Sequence, residues 1–313
     1  MDMFDVPHKT FMEILKVNNR EVPFANLLAF FFRPNEKHEL KNLFIETLLK
    51  TKCSELEANS NKITNNLLEL NGYDFENAEN IVGENVKVIV EQKTTSEQNL
   101  LNSELNNKRI DILIVAENFL ICIEFKINHK LNNPLEEYKK FVTEKYPEKR
   151  KYYVVLTPYR KEVKEKIKKN DEFKQIILSH FVENIKQNLS ANFKTNISTN
   201  KYYIYFIDLI QTVENRKIKN DRYHFFEKVI QELKINQKII CKIHTQKNGF
   251  LEIQKNILKL KLRFFVSESE TQELKTGLRL ENWSENKNDL IELISKETEI
   301  KEIVEKINKV LNK

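Results

Sequence analysis

The chain has 313 residues, of which 40% are hydrophobic and 31% are charged, and its formal net charge is +6 at pH 7. This length suits one large domain or a core with an appended unit, and the composition is that of a globular protein. No apolar run reaches the ~18 residues that a membrane span requires, so we expect no membrane partner.

The cysteines and the N-terminal residues indicate where the protein resides. Cys53, Cys122 and Cys241 are far apart and form no C-x-x-C pair, which excludes a zinc ribbon and fits a reducing compartment. The N-terminal stretch MDMFDVPHKTF has acids where a secretory signal has bases, and it lacks an apolar segment. We therefore expect a cytoplasmic protein.

Positive charge is concentrated between Lys145 and Lys169, where ten Lys or Arg residues stand against three Asp or Glu residues. A basic stripe of this kind suits a polyanionic partner such as nucleic acid. Lysines scattered over solvated helices would give the same count, so charge alone leaves both interpretations open.

In chain order, the first predicted elements are helices. Apolar residues recur at helical spacing from Phe11 to about Cys53, and NLLAFFFRP ends one helix at Arg33-Pro34. The segment Glu57–Asn71 also places leucines and an isoleucine near one side of a helix. Residues 1–80 are therefore predicted to form an N-terminal helical region.

Residues 81–215 are predicted to form a core of intermingled strands and helices. Strands are predicted over VKVIVEQ, RIDILIV, FLICIEFK and KYYVVLTPY, which are rich in β-branched and aromatic residues. Helices are predicted over NPLEEYKKFVTEKY, KEVKEKIKK, FKQIILSHFVENIKQNL and YYIYFIDLIQTVEN, the first of them with Pro134 in its first turn.

Residues 216–313 are predicted to form a small α+β extension. It begins with a helix over YHFFEKVIQEL, continues with strands over GFLEIQK, KLRFFVSES and GLRLENW, and ends in a helix from Leu290 onward. The predicted fold class is α+β, with a mixed sheet that contains an antiparallel hairpin and is flanked by helices.

The strands RIDILIV and FLICIEFK carry charged residues among apolar ones. A two-residue turn at Glu117-Asn118 would join them into an antiparallel hairpin. In that register Asp111 faces Glu124 across the strands, with Cβ atoms ~5 Å apart, and Lys126 lies on the same face. We expect Ile110 to share the opposite face with the other two isoleucines of its strand.

Two opposed carboxylates repel each other, and a divalent cation would convert this repulsion into ligation. Lys126 could then orient or deprotonate a water molecule, or stabilise charge that develops on a phosphate. The alternative is that Glu124 and Lys126 simply reach solvent at a strand end, with Asp111 paired to Arg109 or Lys126.

Asp111 followed across a hairpin by Glu124-Phe125-Lys126 resembles the PD-(D/E)xK nuclease superfamily. RIDILI followed by ICIEFKI is similar to one bacterial branch, which also carries an N-terminal helical signature of the form LLAWLLDPNxxHGLG. NLLAFFFRPNEKHELKNLFIETLL resembles that signature and includes His38, which we expect to have a packing role. The resemblance covers roughly residues 10 to 215.

The resemblance implies a restriction-endonuclease-like core and a nuclease that depends on Mg²⁺ or Mn²⁺. Asp111 and Glu124 would be metal ligands together with the backbone carbonyl of Phe125, and Lys126 would be the catalytic lysine. Glu91 matches an acidic position before the aspartate, and it would be a further ligand or would position the water.

Nucleic acid is the partner that the resemblance implies, with DNA favoured over RNA. The predicted contacts are Arg109, Lys149, Arg150, Lys151, Arg160 and Lys161. Pro134 departs from the superfamily, which often has a glutamine there to contact the substrate or the attacking water. The alternative is therefore a catalytically inactive module of the same fold that binds nucleic acid or protein.

A homodimer and a role in restriction or phage defence are left open, the latter by analogy alone.

Overall fold

A computed structural model describes residues 8–55, 63–69, 82–83, 85–94, 109–127, 131, 133–158, 172–192, 200–234, 239–244, 249–255, 258–268, 274–282, 289–295 and 298–312. The chain forms two compact units, one over Lys9–Val213 and one that contains Glu214–Lys313. Among the helices of this described part, none has the length and apolar character needed to cross a bilayer.

The larger unit is built on a mixed sheet. Its strands are β1 Lys52–Glu55, β2 Ile63–Asn66, β3 Lys87–Lys93, β4 Arg109–Val115, β5 Phe119–Phe125, β6 Arg150–Thr157 and β7 Phe173–Ile177. They lie in the order β2-β1-β7-β6-β5-β4-β3. β6 pairs in parallel with β5 on one side and with β7 on the other. The other adjacent strands of the sheet pair antiparallel.

Helices cover both faces of this sheet. They are α1 Phe11–Ile14, α2 Glu21–Phe32, α3 Leu43–Lys50, α4 Leu135–Lys145, α5 Leu178–Asn192 and α6 Tyr203–Lys234. Buried side chains of α2, α3, α5 and the start of α6 pack on one sheet face, and those of α4 pack on the other. The largest contributors on the first face are phenylalanines, such as Phe31 stacked on Phe44 with ring centroids 5.0 Å apart.

The smaller unit contains an antiparallel sheet. Its strands are β8 Ile240–His244, β9 Phe250–Lys255, β10 Leu258–Glu268, β11 Leu274–Asn282 and β12 Asp289–Ser295, and the helix α7 Ile300–Leu311 follows them. The strands lie in the order β12-β11-β10-β9-β8. One sheet face packs against α7 and the C-terminal part of α6, where a buried core includes Phe226, Leu262 and Ile303.

Three helix predictions are wrong in part, because strand pairing overrides a helical apolar pattern. Ile63–Asn66 pairs with β1, Phe173–Ile177 pairs with β6 and β1, and Asp289–Ser295 pairs with β11. Short segments with isoleucine or leucine fit both periodicities, and contacts distant in sequence decide between them. Cys53 likewise lies in β1 rather than in a helix.

Two further details differ from the predictions. Ile110 packs in the α4-side cluster, whereas Ile112 and Ile114 pack on the opposite face. Between Ile112 and Ile110, the pairing of β4 with β3 is interrupted at Glu91, whose φ of 55° is left-handed. Pro134 is the residue before α4, at the N-cap position, rather than in its first turn. The predicted helix KEVKEKIKK lies outside the described residues.

His38 holds the connection between α2 and α3 through its ring nitrogens. Nε2 donates to the carbonyl of Arg33 at 2.8 Å, and Nδ1 accepts from the backbone N–H of Leu40 at 2.9 Å. Burial lowers the pKa of His38, which suits a neutral ring that accepts at one nitrogen. The ring also packs edge-on against Phe30 at 5.2 Å.

Replacing His38 should destabilise the protein. His38→Ala leaves the Arg33 carbonyl and the Leu40 N–H without their partners, and we expect it to lower the unfolding free energy by about 2–4 kcal/mol in urea denaturation. The control Lys37→Ala changes an exposed side chain next to it and should stay within about 0.5 kcal/mol of the parent. Equal stability of the two variants would show that His38 has no packing role.

Candidate active site

The predicted hairpin is present with the predicted register. The backbone N–H of Ala116 donates to Phe119 O at 2.9 Å, which closes the turn over Glu117-Asn118. Cross-strand pairs run from Val115 opposite Leu120 to Ile112 opposite Ile123. The two-residue turn thus fixes which side chains meet at the far end of the hairpin.

Beyond Ile112, the carboxylate of Asp111 continues the pairing in place of the backbone. Its Oδ2 accepts a hydrogen bond from the backbone N–H of Phe125 at 2.8 Å. Because this bond reaches the residue next to Glu124, it brings the two carboxyl groups to one end of the hairpin. The site therefore lies where β5 ends, beside its parallel neighbour β6.

The ammonium group of Lys126 lies close to three of the oxygen groups that the sequence predicted as metal ligands, those of Asp111, Glu124 and Phe125. Its Nζ lies 2.7 Å from Glu124 Oε1 and 3.8 Å from Asp111 Oδ2, and it donates to Phe125 O at 3.3 Å. The Lys126 and Glu124 side chains are 8% and 0% exposed. The structure thus brings these four residues together, while their individual roles stay predictions.

Sequence reasoning missed a third carboxylate, that of Glu21 at the start of α2. Its Oε2 lies 3.1 Å from Lys126 Nζ, and its Oε1 accepts from the backbone N–H of Ile127 at 3.0 Å. A glutamate in the first turn of a helix is ordinary, so its position gave no functional signal. We refer to Glu21, Asp111 and Glu124 as the acidic cluster.

Burial and neighbouring charges shift the pKa values of Asp111 and Glu124 in the acidic cluster and of Lys126. Burial raises the pKa of Asp111 to about 6, although Lys126 and the Phe125 N–H oppose this shift. Burial, followed by the Asp111 charge, raises the pKa of Glu124 well above its ordinary value. Burial alone would lower the pKa of Lys126, but the carboxylates of Glu124 and Asp111 raise it above the usual range, so the amine stays protonated.

Glu124 has one carboxylate oxygen available to a metal ion. Lys126 Nζ lies 2.7 Å from Glu124 Oε1, whereas Glu124 Oε2 has no hydrogen-bond partner among the residues that the structure describes. A buried carboxylate oxygen without a partner is unfavourable, and a bound metal ion would satisfy it. Mg²⁺ is commonly held by one or two carboxylates, with water or phosphate completing its shell, and Asp111, Glu124 and the Phe125 carbonyl supply such a set.

This set is small for a metal site made of protein ligands alone. Within the described ranges, no group of three or more His, Cys, Asp or Glu side chains is arranged to hold a metal ion. With two carboxylates and one carbonyl as ligands, an ion at the acidic cluster would keep several sites for water or phosphate oxygens, as Mg²⁺ usually does.

Tyr138 and Asn133 form a polar wall of the site on the α4 side. Asn133 Nδ2 donates to the Tyr138 hydroxyl at 3.2 Å, and Tyr138 is almost fully buried. Burial, together with the nearby Glu124 charge, raises the pKa of Tyr138 above its usual range. The sequence comparison singled out Pro134 as a missing glutamine, but the preceding Asn133 supplies an amide within reach of Tyr138.

Glu91 and Arg109 pair with each other beside the acidic cluster. Arg109 Nη1 donates to Glu91 Oε2 at 2.7 Å, and the two side chains are 40% and 31% exposed, respectively. Arg109 therefore pairs with Glu91 rather than with Asp111. The Glu91 charge is close enough to contribute to the raised pKa of Asp111. A role for Glu91 as a ligand or in positioning water stays a prediction.

The other predicted nucleic-acid contacts lie away from the acidic cluster. Arg150 and Lys151 begin β6, and Lys149 precedes them. Val155, the β6 partner of Glu124, is five residues beyond Arg150, about 16 Å along the strand. Lys149 Nζ donates to the turn carbonyls of Ala116 and Glu117. The structure thus does not bring these three basic residues to the site. Arg160 and Lys161 lie outside the described residues.

A mixed sheet with an acid–lysine hairpin at the end of its parallel strands defines a nuclease-like class of α+β protein. The family model of the PD-(D/E)XK nuclease superfamily matches residues 10–233, which is most of the chain. The chain belongs to the PD-(D/E)XK nuclease superfamily. Comparisons with curated proteins and with solved structures gave no match.

Glu21 provides a prediction about stability. Glu21→Ala removes the acceptor of the buried Ile127 N–H and one partner of Lys126, so we expect a loss of about 2 kcal/mol in unfolding free energy. Glu21→Gln keeps an acceptor oxygen and removes repulsion within the acidic cluster, so it should stay within about 1 kcal/mol of the parent. Urea denaturation measures both. If Glu21→Gln were as unstable as Glu21→Ala, the hydrogen bond to Ile127 would not be the important contact.

Proposed function

We propose that this chain is a nuclease that hydrolyses phosphodiester bonds of nucleic acid with the help of Mg²⁺ or Mn²⁺, with DNA the favoured substrate. The observation that carries the proposal is the acidic cluster, in which three carboxylates surround one ammonium group at the motif of the superfamily. Three carboxyl groups around one ammonium group offer an excess of acidic oxygens that suits a divalent ion.

Asp111, Glu124 and the Phe125 carbonyl would hold the ion, and Glu21 adds a further carboxylate beside them. A divalent ion at this position supplies Lewis acidity toward phosphate and activates water. The site lies at the ends of β5 and β6, the edge at which parallel strands commonly present ligand-binding groups.

Lys126 would contribute a positive charge. Glu124 and Asp111 raise the pKa of its amine, which supports stabilisation of the negative charge that develops on the phosphate. Tyr138 and Asn133 close the α4 side and offer a hydroxyl and an amide to a substrate or a water molecule.

A catalytically inactive module of the same fold is the alternative function. Pro134, at the N-cap of α4, replaces the glutamine common in the superfamily, and this substitution favours the alternative. Such a module would bind nucleic acid or protein without cleavage and without stabilisation by divalent ions. A cytoplasmic location, a homodimer and a role in restriction or phage defence are further proposals, the last of them by analogy.

Asp111→Asn should abolish cleavage while leaving the fold intact. The amide oxygen can still accept from the Phe125 N–H, but the negative charge is lost, so we expect Mg²⁺-dependent cleavage of DNA to fall by about 100-fold or more. Lys126→Met should reduce cleavage as strongly, and it should also destabilise the fold because the acidic cluster loses its counter-charge. Glu144→Gln, a change on the exposed side of α4, is the control and should cleave normally.

Thermal unfolding with Mn²⁺ separates the two functions. The ion should raise the melting temperature of the parent protein and of Glu144→Gln, but not that of Asp111→Asn, because binding to the folded state alone stabilises it. Full cleavage by Asp111→Asn would refute the proposed site. Absence of both ion stabilisation and cleavage in the parent would establish the inactive module.

A further inference from the structure

The outer face of the sheet in the smaller unit carries a concentration of positive charge. Leu260 and Leu262 of β10 pack into the core with α7. Because strand side chains alternate, Lys259, Lys261 and Arg263 lie on the opposite, outer face. Three successive outward positions of this central strand are therefore cationic, in the sequence LKLKLRF.

The strand register places further charges beside this row. Arg279 lies directly across from Arg263, and Glu281 across from Lys261. On the other flank of β10, Glu252 of β9 lies between Lys261 of β10 and Lys242 of β8 on the same sheet face. We call the five cations the basic face: Lys242, Lys259, Lys261, Arg263 and Arg279. Among the described residues, two carboxylates, Glu252 and Glu281, share this side of the sheet with them.

Two arginines of the basic face share one buried carboxylate oxygen. Arg263 Nη2 lies 2.7 Å and Arg279 Nη1 lies 3.8 Å from Glu281 Oε1, and the Glu281 side chain is 1% exposed. Directly opposed like charges destabilise a strand pair, and one carboxylate does not neutralise two guanidinium groups. Both arginine side chains remain about one-third exposed, so the pair is accessible to an anion from solvent.

An aromatic ring lies next to this charge. Lys261 Nζ lies 4.3 Å from the Phe250 ring centroid, and the His244 ring stacks on Phe250 at 4.2 Å with an interplanar angle of 9°. Phe250 pairs with Arg263 across the strands. Rings combined with cations are typical of surfaces that bind single-stranded nucleic acid through its bases and backbone.

We propose that the basic face binds the phosphate backbone of single-stranded nucleic acid. This inference rests on the proposed function, in which nucleic acid is the substrate, and adds a second contact surface. The basic face begins after residue 233, where the superfamily match ends. Paired guanidinium groups match the oxygens of a phosphate, and the charge of the face is complementary to a polyanion. The rings favour nucleic acid over an acidic protein.

Binding of a fluorescent oligothymidine tests the proposal. Every protein carries Asp111→Asn and is kept in EDTA, so cleavage does not interfere, and anisotropy is measured over a range of salt concentrations. The test variant combines Lys259→Glu with Lys261→Glu. The control combines Lys301→Glu with Lys309→Glu, two exposed positions on α7 of the same unit that change the net charge equally.

We expect the test variant to bind about 10-fold more weakly or worse, and its salt dependence to fall by about 1.4 in log–log slope, because two phosphate contacts are lost. The control should change the affinity less than about 2-fold. Lys259→Gln with Lys261→Gln, a milder pair, should show the same trend if the first variant unfolds. Equal affinity and slope for test and control variants would overturn the proposal.

Two further comparisons identify the ligand. Oligothymidine should bind more tightly than duplex DNA of the same length, and equal binding would overturn the single-strand assignment. Competition by polyglutamate as strong as by unlabelled oligothymidine would show that the face recognises acidic protein instead. A parent that binds through the basic face but neither cleaves nor responds to Mn²⁺ would refute the nuclease function alone, whereas a nuclease unaffected by the test variant would refute the basic face alone.

Discussion

The site depends on the ion pairs between the Lys126 ammonium group and the acidic cluster. Each partner comes from a different element: Glu21 from α2, Asp111 from β4 and Glu124 from β5. Isolated carboxylates at this depth would be strongly unfavourable, and the shared ammonium makes their proximity tolerable. Phe125, which packs its ring 5.2 Å from that of Phe24, ties the same strand end to the helix that carries Glu21.

The hairpin was predictable because local rules determine it. A two-residue turn fixes the register, and alternation then fixes which side chains face each other, so Asp111 and Glu124 could be brought together from the sequence. Glu21 could not, since it lies 105 residues from Lys126 and only the packing of α2 on the sheet brings it there. The helix predictions for Ile63–Asn66 and Phe173–Ile177 were wrong for a related reason, because both segments pair as strands with partners distant in sequence.

The sequence showed where basic residues are concentrated along the chain, but it did not show where they lie in the structure. The basic stripe that begins at Lys145 is conspicuous in the composition. In the structure, however, Lys149 and Lys151 donate hydrogen bonds to nearby backbone carbonyls. The cations of β10 were less conspicuous, because alternate leucines dilute them in sequence. Their common orientation follows only once the segment is known to be a central strand with one face buried.

The distance in sequence between Glu21 and Lys126 has a consequence for biosynthesis. A chain emerging from the ribosome exposes Glu21 long before the segment that holds its partners is made, so a nascent N-terminal fragment contains an acid without its counter-charge. The assembled arrangement exists only after the hairpin has been synthesised and α2 has docked on it. A proteolytic cut anywhere between these two residues would leave each fragment with part of the arrangement, so neither piece could re-create it without the other.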